Sequence, residues 1–283
     1  MIKKSVQAKQ VLLRITRDKA SMFGLIVLII LVLSAIFADK IAPYHFDYQD
    51  LNNTFALPSL SHLMGTDNYG RDIFSRILYG SRISLMVGCI SVVIGLSIGG
   101  LLGVIAAYYG GVRENIIMRF IDIMMAIPSL LLAIAISASL GPGIFNAMVA
   151  VGIGSVPTYA RVVRASILSI KGEEFIEAAH MMGTSDIRIV FKHLLPNSLA
   201  PIIVQSTLGV AMAILSAASL SFIGLGVQPP TPEWGSMLSA GRPFIRDYWH
   251  IVTFPGVTIM LTILSLNLLG DGLRDALDPK LIR

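Results

Sequence analysis

Long uncharged tracts alternate with short polar segments along the 283-residue chain. About 20 consecutive apolar residues are needed for a helix to span the hydrocarbon core of a bilayer. The tracts therefore predict an all-α polytopic membrane protein with six transmembrane helices, at residues 20–38, 83–112, 117–140, 144–159, 199–225 and 251–270. A basic segment precedes the first tract, as in a signal peptide, but this tract is longer than the usual apolar region of such a peptide. We interpret it as a retained transmembrane helix.

The longest strongly polar stretch of the second half, Glu173–Asn197, lies between the predicted fourth and fifth helices. Lipid offers neither water to its charges nor partners to an irregular backbone, so this stretch must lie outside the bilayer. Helix-forming residues fill Glu173–Met182, and Gly183 is expected to end that helix in the left-handed conformation. A second short helix is predicted from a cap at Ser185 to Pro196. Two short helices joined by a glycine turn at a membrane surface are suited to docking another protein.

Three glycines spaced four apart lie within the predicted second helix: Gly95, Gly99 and Gly103. At this spacing one helix face is nearly bare backbone, which lets helices approach closely in a membrane. We predict that this face packs against a neighbouring helix.

Two charged residues, Arg119 and Asp122, stand at the start of the predicted third helix. Because they are three residues apart, they can meet on one helix face. Two interpretations stay open: a polar element near a cytoplasmic gate, or an interfacial ion pair that fixes the third helix.

Composition supports the membrane assignment. Hydrophobic residues make up 54% of the chain and charged residues only 14%, whereas soluble domains carry about 25% charged residues. The net charge of +5 is explained by topology rather than by nucleic-acid binding. With six helices, the side that holds both termini carries 16 of the 22 Lys and Arg residues and the other side carries six. The positive-inside rule therefore predicts cytoplasmic termini and a cytoplasmic Glu173–Asn197 segment.

The chain carries no motif of an enzyme active site. It has no Gly-x-x-x-x-Gly-Lys-Ser/Thr sequence to cradle ATP phosphates, no His-Glu-x-x-His motif and no nucleophile elbow. His45 and His62 are 17 residues apart and do not predict a metal site. We expect no catalytic residue, no cofactor and no metal in this chain, so energy must come from a partner.

The sequence Glu177-Ala178-Ala179, followed by Gly183 and Leu195-Pro196, resembles the EAA loop of permease subunits in bacterial ABC importers. In that family the loop docks into a groove of the ATPase subunit. The resemblance implies that Glu173–Asn197, here named the candidate coupling loop, contacts an ATPase. The residues implied in coupling are Glu174, Glu177, Ala178, Ala179, Met182, Gly183, Ser185, Asp186, Leu195 and Pro196.

Further stretches resemble the second, C-type permease of dipeptide, oligopeptide and nickel importers: His62–Asp67, Phe222–Pro230 and Gly270–Pro279. The resemblance implies the type I importer permease fold, with a five-helix core and an extra N-terminal helix. Residues 1–82 would then hold the N-terminal segment, the first helix and an external loop. Residues 83–283 would form the ABC importer permease domain.

The same resemblance implies a multi-pass protein of the bacterial plasma membrane that forms half of a path for short peptides. Its expected partners are a second, homologous permease in a heterodimer, two cytoplasmic ATPases that bind ATP and Mg, and an extracytoplasmic substrate-binding protein. Trp234, in the loop after the fifth helix, is interpreted either as a contact for that binding protein or as an interfacial aromatic anchor.

Two alternatives stay open. Within the family, the substrate is nickel or another small solute instead of peptides. From another class, the chain is a secondary transporter or channel, although such proteins usually bury carboxylates at mid-membrane. No Asp or Glu falls near the middle of any predicted span, which counts against that class.

Overall fold

Helices account for most of residues 13–277, the part of the chain that the computed structural model describes. One isolated antiparallel bridge joins Thr66 to Asp72. The helices are α1 (Lys19–Ile41), α2 (Ile73–Tyr109), α3 (Gly111–Met125), α4 (Ser129–Leu140), α5 (Ile144–Lys171), α6 (Glu174–Met181), α7 (Asp186–Ile189), α8 (Leu195–Asn197), α9 (Leu199–Phe222), α10 (Trp234–Gly241) and α11 (His250–Leu277).

The all-α class is confirmed, and the helices match the predicted spans with two differences. Within residues 13–277, α1, α2, α9 and α11 are long and apolar enough to cross a membrane, and α3 and α4 together make a fifth candidate. The predicted fourth span lies in α5. That helix is not among these candidates: it carries Asn146 near its start, and Arg161, Arg164 and Lys171 follow Tyr159.

The predicted third span is not one continuous helix. The chain bends by 85° between α3 and α4. Pro128 explains the break, because it lacks a backbone N–H and disfavours helical geometry at Ile127. Ile121 of α3, fully buried, packs in a cluster with Val156 and Ala160 of α5, which holds the first half of the broken element.

The predicted glycine face of α2 packs against α5 of the same chain. A Cβ atom added at Gly95 would lie 2.0 Å from Ser155 Oγ, and one added at Gly99 would lie 2.3 Å from the carbonyl oxygen of Val156. At Gly103 the nearest atom would be the carbonyl oxygen of Ala160, at 2.5 Å. Only glycine permits this backbone approach.

Contacts between loops divide the molecule into two ends. At one end, Gly143 N–H donates to the carbonyl of Gly226 at 3.0 Å, and the ring of Phe55 contacts those of Phe244 and Tyr248. The candidate coupling loop lies at the other end, where the chain segments before α1 and at the end of α11 also meet. Spans that cross the bilayer in alternating directions would place these loops and chain segments in the same two groups, on opposite sides.

The loop between α1 and α2 folds around a buried ion cluster. Asp67 pairs with Arg71 at 2.7 Å and also accepts the backbone N–H groups of Tyr69 and Arg71. His62 Nδ1 lies 3.0 Å from a carboxylate oxygen of Asp72, which caps α2 through the N–H of Ser75. The His62–Asp67 motif therefore builds this loop.

Trp234 is fully buried, which contradicts its prediction as a binding-protein contact or interfacial anchor in this conformation. Its indole Nε1 donates to the carbonyl of Ile77 at 3.2 Å. A Cβ atom at Gly80 would lie 3.1 Å from the indole, so the glycine makes room for the ring against α2. Trp234 is a packing residue between α2 and α10.

Candidate coupling loop and its anchors

The first helix of the candidate coupling loop is confirmed as α6, Glu174–Met181. Its buried side chains are Ile176 and Ala179, which pack in a cluster with Ile167 near the end of α5. Phe175 and Met182, which have the spacing of an apolar helix face in the sequence, are 44% and 77% exposed. The loop therefore presents part of its apolar surface to solvent instead of to its own chain.

Gly183 ends α6 in the left-handed conformation, as predicted, with φ at +71°. Its N–H donates to the carbonyl of His180 at 2.9 Å, and the next N–H, from Thr184, reaches back to the carbonyl of Ala179 at 3.1 Å. These two bonds form a Schellman motif, which satisfies carbonyls that the helix end leaves free. The turn reverses the chain between α6 and α7.

The second half of the loop is helical but irregular. Ser185 occupies the N-cap position of α7, but its side chain makes no capping hydrogen bond within the described residues. A π-helical turn follows over Val190–Leu194, in which Leu195 N–H donates to the carbonyl of Val190. Pro196, predicted to end this helix, lies inside the short helix α8. The helical segment instead ends at Ser198, one residue before α9.

Two side chains anchor the loop region to the end of α2. The hydroxyl of Tyr108 donates to Asp186 Oδ1 at 2.7 Å. Lys171 Nζ, at the end of α5, donates to the carbonyls of Ala107 and Tyr108 at 2.9 and 2.7 Å. A lysine bonding the last carbonyls of a helix also interacts favourably with the negative end of its dipole. Movement of the loop is therefore tied to movement of α2 and α5.

The loop exposes large apolar side chains at the end of the bundle. Met181 is 91% exposed, Ile187 73% and Phe191 67%. Glu174 and Glu177 lie in the first turn of α6 and are exposed beside them. Exposed apolar groups rimmed by charge mark a protein-interaction surface.

The expected pair of Arg119 with Asp122 is not formed. Asp122 Oδ1 instead accepts from Arg161 Nη2 at 2.6 Å, and Glu114 Oε1 accepts from Arg164 Nε at 2.7 Å. Both bonds join α3 to α5 near the candidate coupling loop. The sequence spacing indicated a pair within one helix. A local pattern does not show that the fold brings α5 beside α3.

The sequence matches two family models. Residues 99–283 match the binding-protein-dependent transport system inner membrane component, and residues 7–58 match the N-terminal transmembrane domain of oligopeptide transport permease C. The two matches together cover most of the chain.

Similar curated proteins share about half of their residues with this chain. The dipeptide transport system permease protein DppC of Alkalihalophilus pseudofirmus is 50% identical, with 95% of this chain and 88% of the relative aligned. The di/tripeptide transport system permease protein DppC of Pseudomonas aeruginosa is 46% identical, over 93% and 89%. The glutathione transport system permease protein GsiD of Escherichia coli is 50% identical, over 95% and 89%.

Solved structures show the same fold at low sequence identity. An inward-facing structure of the MetNI methionine ABC transporter superposes with a TM-score of 0.59 at 20% identity, covering 72% of this chain and 97% of that one. An amino acid ABC transporter superposes with a TM-score of 0.54 at 16% identity, covering 69% and 90%.

Proposed function

Because the chain belongs to the family of binding-protein-dependent transport system inner membrane components, we propose that it is a permease subunit of an ATP-driven importer of short peptides. The family assignment rests on a model match over residues 99–283 and on relatives about 50% identical over nearly the whole chain. The relatives carry names for dipeptide, di/tripeptide and glutathione transport. All of these substrates are short peptides, which favours peptides over nickel.

The coupling role rests on one observation above all. The candidate coupling loop exposes Met181, Ile187 and Phe191 while its opposite face is fixed to α5 and α2. A docked ATPase would cover the exposed side chains, and its motion would pass through the anchored side into two long helices. Shifting the populations of two bundle conformations from 1:99 to 99:1 needs about 5.5 kcal/mol of differential binding. ATP-driven closure of the partner would supply this free energy.

For the complete transporter we propose the partners that the family resemblance implies. A second permease would complete the path as a heterodimer, two ATPases would bind ATP and Mg on the cytoplasmic side, and a binding protein would deliver peptide from outside. The candidate coupling loop and both termini would then be cytoplasmic in the bacterial plasma membrane, in agreement with the positive-inside rule. Asp122, with Arg161 now identified as its partner, and Arg119 remain candidates for a polar gate near that side.

The test is uptake by the complete transporter in lipid vesicles. We expect uptake of radiolabelled Ala-Ala that requires both ATP and the binding protein, and no comparable uptake of radioactive Ni²⁺. Uptake of nickel without uptake of Ala-Ala would assign the chain to the nickel branch. Uptake driven by an ion gradient, with no need for ATP, would contradict the ABC permease role.

A further inference from the structure

A cavity of about 170 Å³ lies between α4, α5 and α9, with Val92 of α2 also on its wall. Its wall contains six polar side chains and otherwise apolar residues and glycines. The six are Ser129, Ser155, Thr158, Tyr159, Gln205 and Ser216. Among residues 13–277, no charged side chain lines it. Because lipid offers them no partners, polar groups on membrane-spanning segments face the interior of the bundle or a water-filled cavity.

Tyr159, which lines this cavity, carries a buried hydroxyl without a partner within residues 13–277. Its side chain is 1% exposed, yet its Oη has no hydrogen-bond partner among the described residues. The hydroxyl of Ser206, which donates to the carbonyl of Ile202 at 2.8 Å, is the near neighbour that could still accept from the phenol, but the two do not meet in hydrogen-bond geometry. Gly209 makes room for the phenol, because a Cβ atom there would lie 2.2 Å from Oη. Buried polar groups are almost always hydrogen-bonded, so this hydroxyl is available to a further partner such as water or a ligand.

Four of the five hydroxyls of α9 have a hydrogen-bond partner within the chain, among them Ser221, which accepts from the N–H of Val227 at 3.2 Å. Ser206, Thr207 and Ser219 each donate to the carbonyl four residues earlier, the usual solution for a hydroxyl in a membrane helix. Ser216 makes no such bond within the described residues, and neither does the amide of Gln205. These two side chains line the cavity. Their hydrogen-bonding capacity is therefore directed to the cavity and remains available to a ligand.

We propose that this cavity is a cargo subsite on the translocation path, where Tyr159, Gln205 and Ser216 hydrogen-bond the neutral backbone amides of a peptide in transit. The proposal rests on the proposed function. A hydroxyl and a carboxamide provide donors and acceptors that match a peptide N–H and C=O. The described part of the wall offers no carboxylate, imidazole or thiolate to hold a nickel ion. Without a charged group the subsite binds weakly, which lets cargo leave as well as enter.

Cysteine accessibility tests occupancy directly. In a Cys89→Ser background, Ser216→Cys places a thiol in the cavity, and Ser219→Cys places one three residues further along α9, outside its wall. The complete transporter in vesicles is treated with a small methanethiosulfonate reagent, with and without Ala-Ala, binding protein and ATP. We expect transported Ala-Ala to slow labelling at position 216 several-fold and to leave labelling at position 219 unchanged.

Removing single polar groups tests their contribution to transport. Tyr159→Phe and Gln205→Leu are each expected to lower Ala-Ala uptake about two- to tenfold, the size of one neutral hydrogen bond. Binding-protein-stimulated ATP hydrolysis should stay at the wild-type rate, whereas a merely structural defect would lower both. Tyr48→Phe is the matched control, because it removes the same atom from an exposed ring in the loop between α1 and α2.

The outcomes separate the two proposals. One outcome would contradict only the subsite: wild-type vesicles take up Ala-Ala, all cavity variants transport it equally well, and peptide does not change labelling at position 216. The permease function would then stand. If Ser216→Cys labels in the isolated chain but not in the complex, with or without peptide, the partner permease fills the cavity and the subsite is also wrong. If the wild type takes up no peptide, both proposals fail.

Discussion

The hydroxyl of Tyr108 donates a hydrogen bond of 2.7 Å to Oδ1 of Asp186, across 78 positions of the sequence. Tyr108 is the penultimate residue of α2 and is 8% exposed, while Asp186 opens the second helical part of the candidate coupling loop. The bond joins a long transmembrane helix to the segment proposed to meet the ATPase. It ties the loop to α2, in addition to the packing of Ile176 and Ala179 on α5 and to the continuity of the chain with α5 and α9.

Loss of this bond should weaken coupling without unfolding the bundle. Tyr108→Phe keeps the ring and removes only the donor, which costs about 1 kcal/mol when the freed carboxylate can take up water. We expect the variant to insert normally, and the transporter that contains it to hydrolyse ATP but to import less peptide per ATP hydrolysed. Uptake and hydrolysis measured in the same vesicles give this ratio.

Asp186→Asn provides the control for that experiment. The carboxamide oxygen can still accept from Tyr108, so the ratio should stay close to the wild-type value. If Tyr108→Phe kept a normal ratio, the attachment between α2 and the loop would have no role in coupling.

Topology is tested by two thiols at opposite ends of the bundle. Ser236, a natural choice in the loop after α9, is 9% exposed and its hydroxyl donates to the carbonyl of Glu233, so it is a poor labelling site. Leu60 is 99% exposed in the loop between α1 and α2, and Ser185 is exposed in the candidate coupling loop. In a Cys89→Ser background, a membrane-impermeant maleimide should label Leu60→Cys in intact spheroplasts and Ser185→Cys only after lysis. Labelling of both before lysis would exclude the alternating arrangement.

Adjacent glycines of α2 should respond differently to a methyl group. At Gly99 a Cβ would lie 2.3 Å from a backbone carbonyl oxygen of α5, whereas at Gly100 the nearest atom is Leu96 Cδ1 at 3.5 Å. Gly99→Ala should therefore destabilise the chain by about 1–3 kcal/mol through overpacking. Gly100→Ala should be neutral or stabilising by up to about 1 kcal/mol, because alanine favours helices. Thermal unfolding in detergent measures both, and equal stability of the two variants would contradict the packing of α2 on α5.

The buried ion cluster of the loop between α1 and α2 should be essential for stability. Asp67→Ala leaves Arg71 and Arg76 buried without their carboxylate, which typically costs about 3–5 kcal/mol. Asp47→Ala is the control, since the His45–Asp47 pair is more than half exposed and its loss should not be measurable. A melting temperature of Asp67→Ala equal to that of Asp47→Ala would show that the cluster does not support the fold.

Local signals were sufficient for the elements that depend on neighbouring residues. The left-handed turn at Gly183 followed from a glycine at the end of a run of helix-forming residues, and both its conformation and the Schellman bonds agree. The close-packing face at Gly95, Gly99 and Gly103 followed from spacing alone. Which helix it meets did not, because α5 lies more than 40 residues away in the sequence.

Features that depend on the three-dimensional arrangement were missed or misinterpreted. Trp234 follows several prolines in a loop, where a tryptophan is often an interfacial anchor. In the structure its ring is buried within the protein, in the space that Gly80 leaves. Pro128 is tolerated in many membrane helices, so its presence did not predict a bend of 85°. The partners of Asp122 and Asp186 come from other helices, and no residue pattern connects them.

Gly183 is the residue at which the coupling proposal is tested most sharply. Its φ is +71°, and a Cβ atom added there would meet nothing within 4 Å. A substitution therefore changes the backbone preference of the turn without a steric clash inside the chain. Its effect should follow the cost of the left-handed conformation, which is low for glycine, moderate for asparagine and high for β-branched residues.

We expect uptake to fall in the order glycine, asparagine, alanine, valine at position 183, with binding-protein-stimulated hydrolysis falling in parallel. Alanine costs about 1–2 kcal/mol in a left-handed position, and valine costs more. The strain would open the turn and separate α6 from α7, so the ATPases should bind poorly while the spans stay folded. Membrane expression and thermal stability of each variant provide the control. Asparagine is larger than alanine, so a loss that followed side-chain size would indicate a direct clash with the ATPase. Normal uptake and hydrolysis in Gly183→Val would remove the coupling role of this loop altogether.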